Sequence, residues 1–129
     1  MAESNRELLD RLMQAFGVWD EPTLRKIIAD DVTYHVPGKS AISGDHRGWD
    51  GYYAYCEKIG DLSAKTADYR LHDIMASDDH GVALMRVLAD RDGRHLDVNV
   101  AWVAHLKDGR VVEVWEVPVD QAAWDAFWS

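Results

Sequence analysis

The chain has 129 residues, of which 47% are hydrophobic and 29% charged, a composition typical of a folded globular domain and not of a disordered chain. Its formal net charge of −9 would repel nucleic acid and anionic membranes over most of the surface, so we expect neither as a partner. Residues 1–10 lack the apolar run of a secretory signal. We therefore expect a single domain over residues 1–129 with a cytoplasmic location, and we interpret the single cysteine, Cys56, as a core residue.

The first thirty residues predict two helices that form a hairpin. Ser4 and Glu7 have the spacing of a capping box, and apolar residues then recur with helical period as far as Phe16. Asp20 is a candidate N-cap for the second helix, and Pro22 falls in its first turn, where a missing N–H costs little.

The next segment predicts one strand and one helix. Residues 32–36 are rich in β-formers and end at the turn signal Pro37-Gly38. Residues 38–48 hold three glycines among polar residues and predict a long surface loop. Residues 49–60 have helical spacing of apolar side chains, with Gly60 as a candidate C-terminal cap.

The second half predicts four strands, at 69–76, 82–89, 95–106 and 111–117. The turn sequences SDDHG, DRDG and KDG separate them, so the strands should be antiparallel neighbours. A last short helix should begin after Asp120 and bury three large aromatic residues: Trp124, Phe127 and Trp128. The order α-α-β-α-β-β-β-β predicts an α+β fold, a curved antiparallel or mixed sheet wrapped around helices, with an apolar pocket inside the cone.

Glu116 is the leading candidate for a catalytic group. Alternation along the last strand places Val112, Val114 and Glu116 on one face, which is otherwise apolar. If that face lines the pocket, desolvation raises the pKa of the carboxyl group and makes it a general base near neutrality. The alternative is that Glu116 is solvated at the strand end or paired with Arg86, which would lower the pKa instead.

Tyr34 and His35 are further catalytic candidates on the first strand. They point to opposite faces, so only one of them can easily face the pocket. The tyrosine hydroxyl is a hydrogen-bond donor for a carbonyl oxygen, and the histidine is a proton carrier near neutrality. Each also has a structural interpretation, because buried tyrosines usually pack and lone histidines are usually structural.

Trp102 on the preceding strand is a candidate flat wall of the pocket or a core residue. The other side chains predicted to contact a substrate are Trp19, Tyr53, Val36, Val114 and Arg86. The six histidines show no HxH or HExxH spacing, and no glycine-rich phosphate or dinucleotide motif occurs, so we predict neither a metal nor a cofactor. The expected partner is a small hydrophobic or aromatic ligand.

The opposite face of the last two strands has a mixed character that favours assembly. Its residues are Glu113, Trp115 and Val117 on the last strand and Asn99, Ala101, Val103 and His105 on its neighbour. A sheet surface of this kind needs cover, so we expect a homodimer.

Three segments resemble the SnoaL-like polyketide cyclase family of the nuclear transport factor 2-like superfamily, which also includes the ketosteroid isomerases. They are IIADDVTYHVPG, SGDHRGWDG and, most specifically, DGRVVEVWEVPVDQAAWDAFW. The resemblance covers nearly the whole chain and implies a cone-shaped fold with a deep cavity, often dimeric through the outer sheet face. It also implies an acid on the final strand at Glu116, while the family's histidine one strand earlier falls on Trp102.

Together these features predict a cofactor-independent enzyme of the cyclase or isomerase type, with lyase or hydrolase chemistry as further possibilities. Glu116 would remove a proton next to a carbonyl group, and Tyr34 or His35 would stabilise the enolate. The alternative function is a protein of the same fold that binds a small hydrophobic ligand without catalysis.

Overall fold

The computed structural model describes residues 3–129, which form four helices and six strands. The helices are α1 (Asn5–Val18), α2 (Glu21–Ile27), α3 (Gly48–Leu62) and α4 (Gln121–Trp128). The strands are β1 (Ile28–Val36), β2 (Gly44–Arg47), β3 (Asp68–Ala76), β4 (His80–Arg91), β5 (Arg94–Lys107) and β6 (Arg110–Pro118). The predicted α+β class and the order of helices before sheet are confirmed.

One curved mixed sheet has the strand order β2-β1-β6-β5-β4-β3. Strands β3 to β6 follow one another as antiparallel neighbours, as their tight turns predict. β1 runs parallel to β6 and antiparallel to β2. The parallel pairing brings the first strand of the chain beside the last, so side chains from both halves of the sequence meet on one sheet face.

The helix caps read from the sequence are confirmed. The Ser4 side chain accepts a hydrogen bond from the Glu7 backbone N–H, and the Glu7 carboxylate accepts in return from Ser4. Asp20 accepts from the Thr23 backbone N–H at 3.3 Å and Asp120 from the Ala123 backbone N–H at 3.0 Å. These caps fix where α1, α2 and α4 begin.

Three predicted boundaries are wrong, and the first is the start of β1, which lies at Ile28 and not at residue 32. The loop expected at 38–48 contains β2, which pairs residue by residue with the end of β1 although its sequence, GDHR, has little β-propensity. Tertiary pairing overrides propensity here because it satisfies the backbone groups of the β1 edge. Gly60 does not cap α3, which continues to Leu62 and ends at Ser63, whose hydroxyl donates to the Ile59 carbonyl at 2.7 Å.

A β-bulge interrupts the regular alternation of β6. His105 lies opposite Glu113 while Leu106 lies opposite Val111, so Val112 is an extra residue in β6. Val111 and Val114 are consequently both buried, and Val112 is only half-buried. The prediction that Val112 faces the interior was therefore wrong, whereas Val114 and Glu116 share the interior face as predicted.

Helices fill the interior of the sheet. α1 contacts β3 and β4, and α3 contacts β1 and β2. The close approach of α1 depends on Gly81 in β4, because a Cβ atom at that position would lie 2.1 Å from Leu9 Cδ1. α4 packs on β5 and β6 and buries its three large aromatic side chains, as predicted: Trp124, Phe127 and Trp128.

Candidate active site

Glu116 lies on the interior face of β6, opposite Trp102 of β5, and only 1% of it is exposed. The Tyr55 hydroxyl of α3 donates a hydrogen bond to Glu116 Oε2. Oε1 has no hydrogen-bonding partner among residues 3–129. One carboxyl oxygen is thus held in place by the protein, while the other is buried without a hydrogen-bonding partner.

Burial raises the pKa of Glu116 to about 7, because the charged carboxylate is removed from water. The hydroxyl groups of Tyr55 and Tyr34 act in the opposite direction, since they stabilise the carboxylate, but their effect is smaller. No cation of the described chain contributes to this shift. Both protonation states of Glu116 are therefore accessible near neutral pH, which is what a general base requires.

Four tyrosines from three elements surround this carboxyl group. Tyr34 comes from β1, Tyr52 and Tyr55 from α3, and Tyr69 from β3. The Tyr34 ring centroid lies 5.0 Å from that of Tyr55 and 5.6 Å from that of Tyr52. Burial raises the pKa of all four phenols well above the usual value, so they remain protonated donors at physiological pH.

The carboxyl group borders a cavity of about 30 Å³, which we call the inner cavity. Its lining consists of Leu12, Met13, Phe16, Tyr34, Tyr52, Tyr69, Met85, Trp102 and Glu116. A space of this size holds about two water molecules. The walls are aromatic and aliphatic, and the lining residues that carry polar side-chain groups are Glu116, the three tyrosines and Trp102.

The structure brings three of the predicted site residues together: Glu116, Tyr34 and Trp102. Val36 and Val114 are buried in the core on the same sheet face but do not line the inner cavity. Trp19 and Tyr53 lie at the surface, 37% and 39% exposed, with ring centroids 5.9 Å apart. Neither of them lines the inner cavity, but Trp19 borders a larger pocket that adjoins it.

His35 lies on the opposite face of the sheet from the inner cavity, because its neighbour Tyr34 points inward. Its ring nitrogens lie 2.7 Å from Asp45 Oδ1 and 2.6 Å from Glu113 Oε2, and its ring stacks on Trp115 at 5.5 Å. The two carboxylates, Glu113 first, raise the pKa of His35. This geometry links β2, β1 and β6 and gives His35 no route to a molecule in the inner cavity.

Arg86 also projects from the outer face, where its guanidinium group forms two hydrogen bonds with Asp97, at 2.8 and 2.6 Å. The sequence left open whether Arg86 pairs with Glu116. The two side chains lie on opposite sides of the sheet, so the ion pair that would lower the pKa of Glu116 does not form.

Sequence reasoning missed the closest partner of Glu116, Tyr55, and also Tyr69. The buried residues of α3 include Trp49, Tyr52, Tyr55 and Ile59, with spacings of three and four residues. That series was visible in the sequence and selects Tyr55 over Tyr53 as the inward tyrosine. No comparable signal exists for Tyr69, because most residues of β3 are exposed and its burial pattern does not alternate.

Among residues 3–129, no helix has the length and hydropathy needed to cross a membrane. In the same range, no three histidine, cysteine, aspartate or glutamate side chains cluster in a way that could hold a metal ion.

Comparison with known proteins places this fold in a family. A model of the SnoaL-like domain matches residues 9–114, most of the chain. The chain belongs to the SnoaL-like family. An uncharacterized protein of Mycobacterium tuberculosis is 34% identical over 131 residues, which cover 98% of each chain. Among solved structures, a protein from a soil-derived mobile gene cassette is 34% identical with a TM-score of 0.90, over 95% of each chain.

A more distant solved structure is IdmH, described as a polyketide cyclase candidate from Streptomyces antibioticus. It is 20% identical with a TM-score of 0.69, and the match covers 87% of this chain and 89% of that one. At this identity the likeness shows a shared fold. The SnoaL-like chain described here also shares the fold of a nuclear transport factor 2-like protein of unknown function from Burkholderia pseudomallei, which is 20% identical with a TM-score of 0.84 over 98% of this chain and 99% of that one.

Proposed function

We propose that this SnoaL-like protein is a cofactor-independent enzyme of the cyclase or isomerase type, with Glu116 as the general base. One observation carries the proposal: a buried carboxyl group, raised in pKa to about 7 and with one oxygen lacking a hydrogen-bonding partner, borders an apolar cavity. The substrate is a small hydrophobic molecule that carries a carbonyl group.

The proposed chemistry begins with proton removal. Glu116 Oε1 takes a proton from the carbon next to the carbonyl group, the electron pair of that C–H bond forms a C=C bond, and negative charge develops on the carbonyl oxygen. A protonated tyrosine hydroxyl then donates to this oxygen. Where the substrate carries a C=C bond conjugated with the enolate, return of the proton to the far carbon of that bond completes an isomerisation. Attack of the enolate carbon on a second carbonyl group instead forms a C–C bond that closes a ring, and the new alkoxide takes the proton back from Glu116.

Tyr34 is the preferred donor to the enolate. It lines the inner cavity beside Glu116, and its phenol remains protonated. Tyr55 is committed to Glu116 Oε2, where it fixes the orientation of the carboxyl group. Tyr55 therefore acts as a positioning residue and Tyr34 as the group that contacts the substrate.

Deuterium exchange tests the proposal with a simple ketone in place of the natural substrate. Phenylacetone is incubated with the protein in D₂O, and deuterium uptake next to the carbonyl group is followed by NMR. We expect Glu116→Gln to lower the exchange rate by about 100-fold or more, since it removes the base. The matched control is Glu113→Gln, three residues away on the outer face, which should leave the rate unchanged.

The alternative, a binding protein without catalysis, makes a different prediction in this experiment. Phenylacetone would then bind, with a change in tryptophan fluorescence, but deuterium uptake would equal that in buffer. Equal exchange rates for the native protein and Glu116→Gln would also rule out Glu116 as the base.

We also propose that two copies associate through the outer face of the sheet. The support is a set of half-buried or exposed apolar side chains across three adjacent strands: Val82, Leu84 and Leu88 of β4, Ala101 and Val103 of β5, and Trp115 and Val117 of β6. Light scattering at micromolar concentration should give twice the chain mass. Val103→Lys, which puts a charge at the centre of this surface, should give the single-chain mass, and a native chain that is already monomeric would contradict the proposal.

A further inference from the structure

A second, larger space adjoins the inner cavity. This outer pocket has a volume of about 340 Å³ and lies between the C-terminal halves of α1 and α3 and the beginning of β3. Four side chains border both spaces: Met13, Phe16, Tyr69 and Met85. We call these four residues the neck. Phe16 and Tyr69 meet edge to face across it, with ring centroids 5.5 Å apart.

The two volumes decide where a substrate can lie. Small-molecule sites in proteins typically measure about 300–1,000 Å³, so the inner cavity of about 30 Å³ is too small by roughly tenfold. The outer pocket, which adjoins the inner cavity, reaches the lower end of that range. A molecule that reacts at Glu116 must therefore leave most of its bulk outside the neck.

The neck is suited to such a passage. Met13 and Met85 are unbranched at Cβ and flexible, so they adapt to a flat group between them, and the two aromatic rings offer stacking surfaces. The wall of the outer pocket beyond them is largely apolar and includes Ile59, Ala67 and Leu71. The charged groups in its lining are Lys65 and Asp68.

We propose that the outer pocket binds the body of an elongated, largely apolar carbonyl compound, and that only its carbonyl-bearing end passes the neck to Glu116. This inference rests on the proposed function for the role of Glu116. It adds the substrate class: the reacting carbon lies at the end of the molecule, and affinity comes from the part that does not react. Compounds with the carbonyl group in the middle of a wide ring system do not fit.

A series of ketones tests this assignment. Acetone, phenylacetone and biphenylylacetone share a methyl ketone end and differ in length, so kcat/KM for deuterium exchange of that methyl group should rise along the series. One methylene group that enters an apolar pocket is worth about 10–200-fold, so each added ring should raise kcat/KM by at least about tenfold.

Gly60 of α3 gives a specific way to fill the outer pocket. It lines this pocket, and a Cβ atom there meets nothing within 4 Å, so the side chain of Gly60→Phe can begin there without a clash. We expect this variant to lower the ratio of kcat/KM for biphenylylacetone over acetone by about tenfold or more. Ala54→Phe, on the exposed side of the same helix, is the matched control and should leave that ratio unchanged.

The outcomes separate the two proposals. Glu116-dependent exchange with a ratio insensitive to Gly60→Phe overturns the outer-pocket assignment and leaves the base intact. A second outcome is that affinity rises with ketone length and Gly60→Phe weakens it, while exchange is no faster than in buffer. This outcome supports the outer pocket and overturns the proposed catalysis. The outer-pocket assignment is overturned directly if exchange rates do not rise with ketone length and fluorescence titrations show equal affinity for all three ketones.

Discussion

The two faces of the sheet carry two glutamates, Glu116 and Glu113, in opposite electrostatic environments. On the interior face, Glu116 is buried, is bound by a neutral hydroxyl, and has its pKa raised by burial to about 7. On the outer face, Glu113 lies only three residues earlier and binds the His35 ring at 2.6 Å. The acidic group is the same in both, so the environment supplied by the strand face decides whether the carboxyl group is poised for proton transfer or holds strands together.

The two glutamates also differ in how their charge affects the stability of the fold. A buried acid without a cationic partner costs free energy when it ionises, whereas an acid paired with a histidinium stabilises the fold. Four changes test this distinction.

The largest effect should come from the interior packing under α4. Trp124→Ala removes a fully buried ring and should lower the free energy of unfolding by about 3–5 kcal/mol, measured by urea denaturation. Trp115→Ala on the outer face removes the same ring from a half-buried site and should cost clearly less. Equal losses would show that the outer ring is as well packed as the interior one, as a tight dimer interface would require.

The second effect concerns Glu116→Gln and depends on pH. The folded pKa of about 7 exceeds the usual value of 4.5, so the native state holds this proton more tightly than the unfolded state. The native protein therefore loses stability as pH rises from about 4.5 to 7, and a glutamine, which does not ionise, avoids that loss. Above pH 7 the variant should be more stable by about 3 kcal/mol.

The same variant should show no such advantage at pH 4, where the native carboxyl group is already neutral. Thermal denaturation at pH 4 and pH 8 measures both values. A stability difference that does not vary with pH would mean that Glu116 is not desolvated in the folded protein.

The third change, Tyr55→Phe, removes the hydroxyl that favours the Glu116 carboxylate. The pKa of Glu116 should rise by about one unit above 7. The pH at which deuterium exchange of phenylacetone reaches half its maximum reports this value. Tyr53→Phe, two residues earlier and at the surface, is the control. A midpoint that stays the same or falls would contradict the assignment of Tyr55 as a positioning residue.

The smallest effect should come from His35→Asn. Because its folded pKa is raised, the contribution of His35 is fully present below the unfolded pKa of about 6.5 and is lost as pH rises through the folded value. Solvent screens this cluster, so we expect a loss of about 1 kcal/mol or less at pH 5.5 and a smaller one at pH 9. Urea denaturation at both values measures it, and a larger loss at pH 9 would contradict the charged pairing.

Most of the fold, and Glu116 as the central acid, could be predicted from the sequence. The caps at Ser4, Asp20 and Asp120 are local signals, and local hydrogen bonds decide them. Glu116 stood out because a charged residue interrupts an apolar strand face. β2 was missed because its pairing with β1 is a tertiary effect that its own four residues do not encode.

The surroundings of Glu116 were harder to predict than Glu116 itself. Tyr34 and His35 are neighbours, and the choice between them depended on which face of β1 the packing buries. The sequence left the partner of Arg86 undecided for the same reason, because only the β4–β5 register places it beside Asp97 and away from the interior. The contact between Tyr55 and Glu116 joins positions 61 residues apart, which sequence periodicity cannot bring together.

The bulge at Val112 has a consequence for how the length of this chain can change in evolution. Deleting Val112 would place Val111 next to Glu113, restore regular pairing with Leu106 and His105, and leave Glu116 opposite Trp102. A deletion between Glu113 and Glu116 would instead turn every later side chain of β6 to the other face. Loss of the codon for Val112 is therefore tolerable, whereas loss of a codon two or three positions later removes Glu116 from the interior face.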